Sequence, residues 1–182
     1  MRTILNLSAV SFLVVDDSRH MRAIIRYVLR LFGARTIREA EDGASALEVL
    51  ASFTPDIVIT NWLMAPVDGI ELTQTLRRAP DSPCPTVPIV MISGHTEEAR
   101  VAEARDAGVT EFLAKPMTPK ALYMRIEEVI LKPRRFVRTP DYVGPDRQRH
   151  GDDGYAGPDR RKIERGAEEP EAASASPRET AA

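Results

Sequence analysis

The sequence predicts an α/β fold, a doubly wound five-stranded parallel sheet in three layers with helices on both faces. First, short apolar runs alternate with segments of helical period five times between residues 8 and 131. Second, the connections between these segments are short, which favours right-handed crossovers and a parallel sheet. Third, composition changes after residue 131, which separates this predicted domain from a Pro- and Arg-rich segment over residues 132–182.

Each predicted strand is a short run, and most of them are rich in β-branched residues. In chain order the runs read SFLVV, ARTIREA, IVI, PIVMIS and TEFLA. ARTIREA is the more amphipathic, whereas IVI, which begins at residue 57, suits a fully buried strand. The stretch PDSPCPTVP before PIVMIS predicts a loop, because proline has no backbone N–H to donate.

The predicted helices have recognisable starts and stops. Asp17 and Ser18 can cap the first helix, and Gly33 ends it. Its apolar positions follow the helical period at Met21, Ile24, Ile25, Val28, Leu31 and Phe32. The other four helices begin near residues 43, 69, 95 and 119, and the fourth has a thin apolar face made mostly of alanine.

Polar side chains follow four of the five predicted strands. Asp16 and Asp17 come after the first strand, Asn61 ends the third, Ser93 ends the fourth and Lys115 follows the fifth. In open parallel sheets, ligands bind beyond the carboxyl ends of the strands. We therefore expect two carboxylates, an amide, a hydroxyl and an ammonium group to converge at one edge of the sheet.

This order of residues resembles the receiver domain of bacterial two-component response regulators, which has a CheY-like fold. The resemblance covers about residues 10 to 131 and includes Pro116 directly after Lys115. It implies the strand order 2-1-3-4-5, a cytoplasmic signalling role, and a histidine kinase or phosphotransfer protein as partner. It also implies a phosphoryl-binding and switching set made of Ser93, Phe112 and Lys115.

The resemblance further implies an Mg²⁺ site held by Asp16, Asp17, the side chain at position 61 and the backbone carbonyl of Trp62. Hard oxygen ligands in a half-open site suit Mg²⁺ on chemical grounds as well. A simpler interpretation of the acidic pair is structural. In that case Asp17 only caps the following helix, and Asp16 only pairs with Lys115.

Position 61 departs from the family pattern, which has the phosphoacceptor Asp there. A phosphoryl group is accepted by a charged carboxylate oxygen, and the Asn61 carboxamide has none. We expect no phosphoryl transfer to this position, no autophosphatase activity, and only weak Mg²⁺ binding. The chain is then either a natural binding module or an Asp-to-Asn form of a working receiver, and the sequence does not separate these two interpretations.

The first helix carries a basic stripe at Arg19, Arg22, Arg26 and Arg30. One interpretation is a solvated outer face. The other is a docking surface for an acidic partner, because in receivers this helix lies beside the acidic pocket and contacts the kinase or the phosphotransfer domain.

Composition limits the classes of partner and the cellular location that we expect for this chain. The formal net charge is −2, which predicts neither a strong nucleic-acid field nor a membrane-surface role. The single cysteine, Cys84, suits a reducing cytoplasm. No apolar run approaches the roughly 20 residues that a membrane span needs, and the first residues lack the apolar core of a signal peptide.

Residues 132–182 are predicted to form a mostly disordered tail, because they contain few large aliphatic residues. The tail repeats one element, YVGPDRQR from residue 142 and YAGPDRRK from residue 155, and then becomes acidic. A linear element that binds an output protein, carried twice for avidity, is the favoured interpretation. The alternative is an effector that binds nucleic acid through the basic repeats, although no folded binding motif is visible.

Overall fold

The computed structural model describes residues 5–139 and 142–146. Five strands and five helices alternate over most of this range, and two further short strands follow. They are β1 (Ser11–Val15), α1 (Arg19–Leu31), β2 (Thr36–Ala40), α2 (Gly43–Leu50), β3 (Ile57–Asn61), α3 (Gly69–Arg78), β4 (Ile89–Ser93), α4 (Glu98–Ala107), β5 (Glu111–Ala114), α5 (Pro119–Leu131), β6 (Phe136–Arg138) and β7 (Val143–Pro145).

The main sheet is parallel and has the order β2-β1-β3-β4-β5, as predicted. Its two faces bury separate apolar clusters. One cluster lies beneath α1 and α5 and includes Ile25, Leu29 and Ile126, whereas the other lies beneath α2, α3 and α4 and includes Leu50 and Leu76. These layers confirm the predicted three-layer α/β fold. Within the described residues, no helix combines the length and apolarity that a membrane span requires.

The start of α3 is drawn close to the end of β3. Asp68 caps α3 by accepting the N–H of Glu71 at 2.8 Å, and Glu71 accepts the N–H of Asp68 in return. A Cβ atom on Gly69 would lie 2.2 Å from the backbone oxygen of Asn61. Glycine is therefore required at this position for the helix to approach the strand end.

Ordered structure continues past the boundary predicted at residue 131. Strands β6 and β7 pair antiparallel, the N–H of Thr139 donates to the carbonyl of Tyr142 at 2.8 Å, and the Tyr142 hydroxyl donates to the carbonyl of Pro145 at 2.7 Å. Tyr142, Gly144 and Pro145 are buried. The prediction of a mostly disordered tail is corrected for this part, since its aromatic residues pack on the domain and need no core of their own.

Residues 142–146 of the first copy are therefore not an exposed linear segment, because the tyrosine, glycine and proline at positions 142, 144 and 145 are buried. The second copy, which starts at residue 155, and the acidic end lie outside the described residues. The predictions of an output partner and of nucleic-acid binding through those residues stay predictions.

Candidate functional site

The predicted polar groups meet at the carboxyl edge of the sheet. Strand pairing aligns Val15 with Thr60, Asn61 with Ile92, and Ser93 with Ala114, so the chain leaves each strand at the same level. The residues that follow each strand therefore share one pocket. The structure thus brings together the acidic pair, the amide and the ammonium group, which are Asp16, Asp17, Asn61 and Lys115.

Asp16 lies at the bottom of this pocket and is only 1 % exposed. Its Oδ1 accepts the N–H of Ser18 at 2.8 Å, and its Oδ2 lies 3.6 Å from Nζ of Lys115, which is an ion pair but too long for a hydrogen bond. Burial raises the pKa of the Asp16 carboxyl, against the opposing effects of Ser18 and Lys115. Oδ2 accepts no hydrogen bond from the described residues, so one buried acceptor stays without a donor.

The Asn61 carboxamide links three segments of the chain. Its Nδ2 donates to Oδ1 of Asp17 at 3.1 Å and to the carbonyl of Leu63 at 2.9 Å. Its Oδ1 accepts a hydrogen bond from Nζ of Lys115 at 3.1 Å. Every polar atom of the amide is therefore used, and the exposed Asp17 carboxylate is held by an N–H donor.

The capping interpretation of the acidic pair is only half supported. Ser18, not Asp17, caps α1 by accepting the N–H of Met21 at 3.3 Å. Asp16 does pair with Lys115, as that interpretation predicted. Asp17 itself faces Asn61 across the pocket, which gives this carboxylate a place in the pocket and no role in the helix cap.

The Trp62 carbonyl, which the resemblance implies as an Mg²⁺ ligand, makes a backbone hydrogen bond, and its role as a ligand stays a prediction. That oxygen accepts the N–H of Gly69 at 2.8 Å, because the start of α3 is drawn against it. The carbonyl that faces Asn61 belongs to Leu63. Sequence reasoning missed Leu63, because a side-chain pattern does not reveal which carbonyl of a turn points inward. Trp62 is 3 % exposed and belongs to the apolar cluster beneath α2, α3 and α4.

Two of the predicted phosphoryl-binding and switching residues, Ser93 and Lys115, lie at the carboxyl edge of the sheet, whereas Phe112 lies within β5. Ser93 is 1 % exposed, and its Oγ accepts the N–H of His95 at 3.0 Å. The backbone N–H of Lys115 donates to the carbonyl of Ser93 at 2.7 Å, which joins the two strand ends. Phe112 is half-buried, and its ring meets that of Trp62 edge-on with centroids 6.3 Å apart.

The basic stripe on α1 is divided by the structure. Arg22 donates to the carbonyl of Asp16 at 2.6 Å and pairs with Glu39, and Arg26 also pairs with Glu39. Only Arg19 and Arg30 are exposed without such a partner in the described residues. The middle pair, Arg22 and Arg26, ties α1 to β1 and β2, and docking of an acidic partner on the stripe stays a prediction.

Two exposed apolar side chains on α1 were not predicted as functional. Tyr27 is 64 % exposed and Leu31 is 59 % exposed, although the helical pattern placed Leu31 on the buried face. They lie four residues apart, so they share one side of the helix next to Arg30. Tyr27 lies outside the helical period of the apolar residues of α1. An aromatic residue at such a position was the sequence signal for an exposed contact residue.

As they stand, the pocket residues do not fit a divalent cation well. Asp16 Oδ2 is a buried oxygen without a donor, which favours a cation. However, the Asn61 amide presents N–H groups to the space shared with Asp17 and Leu63, and Lys115 already neutralises Asp16. No group of three acidic, His or Cys side chains suited to a metal exists among the described residues.

Comparison with known proteins agrees with the fold. Residues 12–127 match the family model of the response regulator receiver domain. The chain is 38 % identical over 122 residues to the chemotaxis protein CheY1 of Helicobacter pylori, covering 66 % of this chain and 97 % of that one. It is 33 % identical over 129 residues to the chemotaxis protein CheY-3 of Vibrio cholerae, covering 71 % and 97 %.

Two solved structures are similar over the same part. Chemotaxis protein CheY4 of Vibrio cholerae has a TM-score of 0.61 at 28 % identity and covers 66 % of this chain and 98 % of its own. A putative response regulator from Chloroflexus aurantiacus has a TM-score of 0.62 at 28 % identity and covers 68 % and 98 %. The fold, the order of the pocket residues and these matches together show that the chain belongs to the response regulator receiver family of two-component and chemotaxis signalling.

Proposed function

We propose that this chain is a receiver that acts by binding proteins in a two-component pathway and accepts no phosphoryl group at position 61. The observation that carries the proposal is the neutral amide of Asn61 at the strand end where the polar groups converge. Receiver domains generally serve as signalling domains without enzymatic activity of their own, and CheY-like receivers interact with histidine kinases or phosphotransfer proteins. We expect the chain to act in the cytoplasm.

The chemistry supports this proposal. Acyl-phosphate formation needs an anionic oxygen that can attack phosphorus. The amide oxygen of Asn61 is uncharged, and it already accepts a hydrogen bond from Lys115. Asp56 cannot replace it, since it lies before the start of β3 and accepts hydrogen bonds from Ser11 at the opposite edge of the sheet.

Mg²⁺ binding, which is typical of CheY-like receivers, is proposed to be weak here. Two carboxylates remain, Asp16 and Asp17, but the third oxygen ligand has lost its charge. Coulomb attraction to a divalent ion falls accordingly.

The second candidate is an Asp-to-Asn form of a working receiver. The surroundings favour it, because Ser93 and Lys115 lie at the carboxyl edge of the sheet and Phe112 lies within β5 against Trp62. Under this interpretation, restoring the carboxylate alone restores phosphoryl acceptance.

Intact-mass measurement after incubation with acetyl phosphate and Mg²⁺ tests the proposal. We expect no phosphoryl adduct on the unaltered chain or on Asn61→Ala, and one adduct on Asn61→Asp. A stoichiometric, base-labile adduct on the unaltered chain would contradict the proposed function. If Asn61→Asp also stays unmodified, the second candidate is excluded and the binding-module interpretation stands alone.

The proposed docking surface for the kinase or phosphotransfer partner is the exposed side of α1, defined by Arg19, Tyr27, Arg30 and Leu31. It combines an aromatic ring, an aliphatic side chain and two guanidinium groups, a composition typical of interface anchors. An acidic, partly apolar partner surface would complement it.

Titration against the phosphotransfer domains of the same organism tests this surface. We expect Tyr27→Ala to weaken binding by roughly tenfold or more, because exposed aromatic anchors often dominate interfaces. Its matched control is Met124→Ala on α5, which is also partly exposed, at 46 %. Equal affinities for both variants and the unaltered chain would exclude α1 as the docking surface.

A further inference from the structure

We infer, on the basis of the function proposed above, that the Asn61 amide takes the place of a divalent cation in this pocket. Its NH₂ group bridges the Asp17 carboxylate and the Leu63 carbonyl, and its oxygen receives Lys115. The pocket is thereby held in one arrangement that needs no metal, and Mg²⁺ cannot act as an input signal.

The Asn61 NH₂ group bridges oxygen atoms from two chain segments, as a bound cation would. A cation in such a site draws together oxygen atoms from separate chain segments. Here Nδ2 of Asn61 lies 3.1 Å from Oδ1 of Asp17 and 2.9 Å from the carbonyl oxygen of Leu63. Those oxygens belong to the β1–α1 and β3–α3 connections. An NH₂ group has two hydrogens, so one amide can hold both oxygens at once.

Lys115 fixes the orientation of the Asn61 amide. Its oxygen lies 3.1 Å from Nζ of Lys115, which is a donor only. Rotating the amide by half a turn would set the NH₂ group against the ammonium and the oxygen against two acceptors. Mg²⁺ therefore has to displace two hydrogen bonds of Asn61 before it can bind between the Asp17 and Leu63 oxygens, which opposes its binding there beyond the loss of charge.

A carboxylate at position 61 would favour Mg²⁺ binding. If Nδ2 became an anionic oxygen, it would lie about 3 Å from the oxygens of Asp17 and Leu63 and would repel them. Three converging oxygens, with Asp16 Oδ2 nearby and without a hydrogen-bond donor, need a cation between them. One geometry thus predicts opposite responses to Mg²⁺ for Asn and for Asp at position 61.

Thermal unfolding of the full chain, in EDTA and in about 10 mM Mg²⁺ at matched ionic strength, tests this inference. We expect no shift in Tm for the unaltered chain. Asn61→Asp should unfold at a lower Tm in EDTA and gain roughly 5 °C or more with Mg²⁺. The matched control is Gln74→Glu on the exposed side of α3, which adds one negative charge away from the pocket and should show no Mg²⁺ shift.

The side-chain amide signals of Asn61 in a ¹H–¹⁵N spectrum give a second readout. In the unaltered chain they should be dispersed, slow to exchange with water and unmoved by Mg²⁺. Saturable movement of these signals, together with a Tm gain in the unaltered chain, would overturn the inference. Such a result would leave the proposed function intact, since that depends on the mass of the chain after phosphodonor treatment.

Discussion

At position 61, exchanging an oxygen for an NH₂ group changes both the charge and the direction of hydrogen bonding in the pocket. A carboxylate would bring a third negative charge beside Asp16 and Asp17, and it would accept hydrogen bonds only. The amide donates to Asp17 and accepts from Lys115, so it relieves repulsion on one side and satisfies the ammonium on the other. The proposed loss of phosphoryl acceptance and the proposed metal-free pocket therefore have the same origin.

Arg77 is the residue whose role was least visible in the sequence. It is fully buried at the end of α3, and its guanidinium donates to the carbonyls of Gly108, Pro85 and Val87 at 3.1, 2.9 and 2.7 Å. Burial lowers the pKa of Arg77 to about 10, so it stays protonated at neutral pH. Its guanidinium carbon also lies 4.8 Å from the centre of the Phe136 ring.

We expect Arg77→Met to lower the free energy of unfolding by roughly 3 kcal/mol or more, because it leaves three carbonyls without their donor. Arg77→Lys should restore little, since one ammonium cannot reproduce the planar fork of donors. Urea denaturation followed by Trp62 emission measures both. The exposed neighbour Arg78 gives the control, and Arg78→Met should stay within about 0.5 kcal/mol of the unaltered chain. Equal losses for both arginines would contradict the assigned role.

Among the elements, the pair β6 and β7 shows how a segment poor in aliphatic residues can still be ordered. A two-stranded sheet by itself has only marginal stability in water. Here they lie against the domain: Phe136 stacks on Arg77, and Gly144 packs so closely that an added Cβ would meet Gly108 Cα at 2.9 Å and the Tyr142 hydroxyl at 2.6 Å. Arg134, just before β6, also pairs with the buried Glu111 at 2.9 Å.

Gly144→Ala tests this packing directly. We expect a loss of about 1–3 kcal/mol in the free energy of unfolding, because the added methyl group must displace Tyr142 or the backbone at Gly108. The control is Gly94→Ala, where no atom lies within 4 Å of the added carbon. Denaturant titration of both variants provides the comparison. If Gly144→Ala is as stable as Gly94→Ala, the β6–β7 pair does not pack on the domain in solution.

Across the whole of the described domain, one edge of the sheet carries the polar pocket and the opposite edge is closed by packing. The carboxyl edge carries the pocket of Asp16, Asp17, Asn61 and Lys115. The opposite edge is closed by Arg77, which binds carbonyls from the segments that lead into β4 and β5, and by the β6–β7 pair. Among the described residues, the polar groups of the pocket and the hydrogen bonds of Arg77 therefore lie at opposite edges of the sheet.

The resemblance to receivers supplied the strand order 2-1-3-4-5. The sequence by itself determined the five βα units, their parallel arrangement and four of the pocket residues. These follow from local properties: β-branched runs form buried strands, Gly33 and Gly108 end helices, and polar residues at strand ends must meet at one edge. Even the position of Arg77 carried a signal, since it falls on the buried period of α3 with Ile70 and Thr73.

Only the tertiary structure decided the rest, because those features depend on distances between segments remote in sequence. The Leu63 carbonyl faces Asn61 because Gly69 lets α3 engage the Trp62 carbonyl instead. Arg22 and Arg26 form ion pairs because β2 places Glu39 within their reach. Composition gave the segment after α5 no core of its own. Residues 132–139 and 142–146 are ordered because Arg77 in α3 and Gly108 at the end of α4 provide the surface on which Phe136 and Gly144 pack.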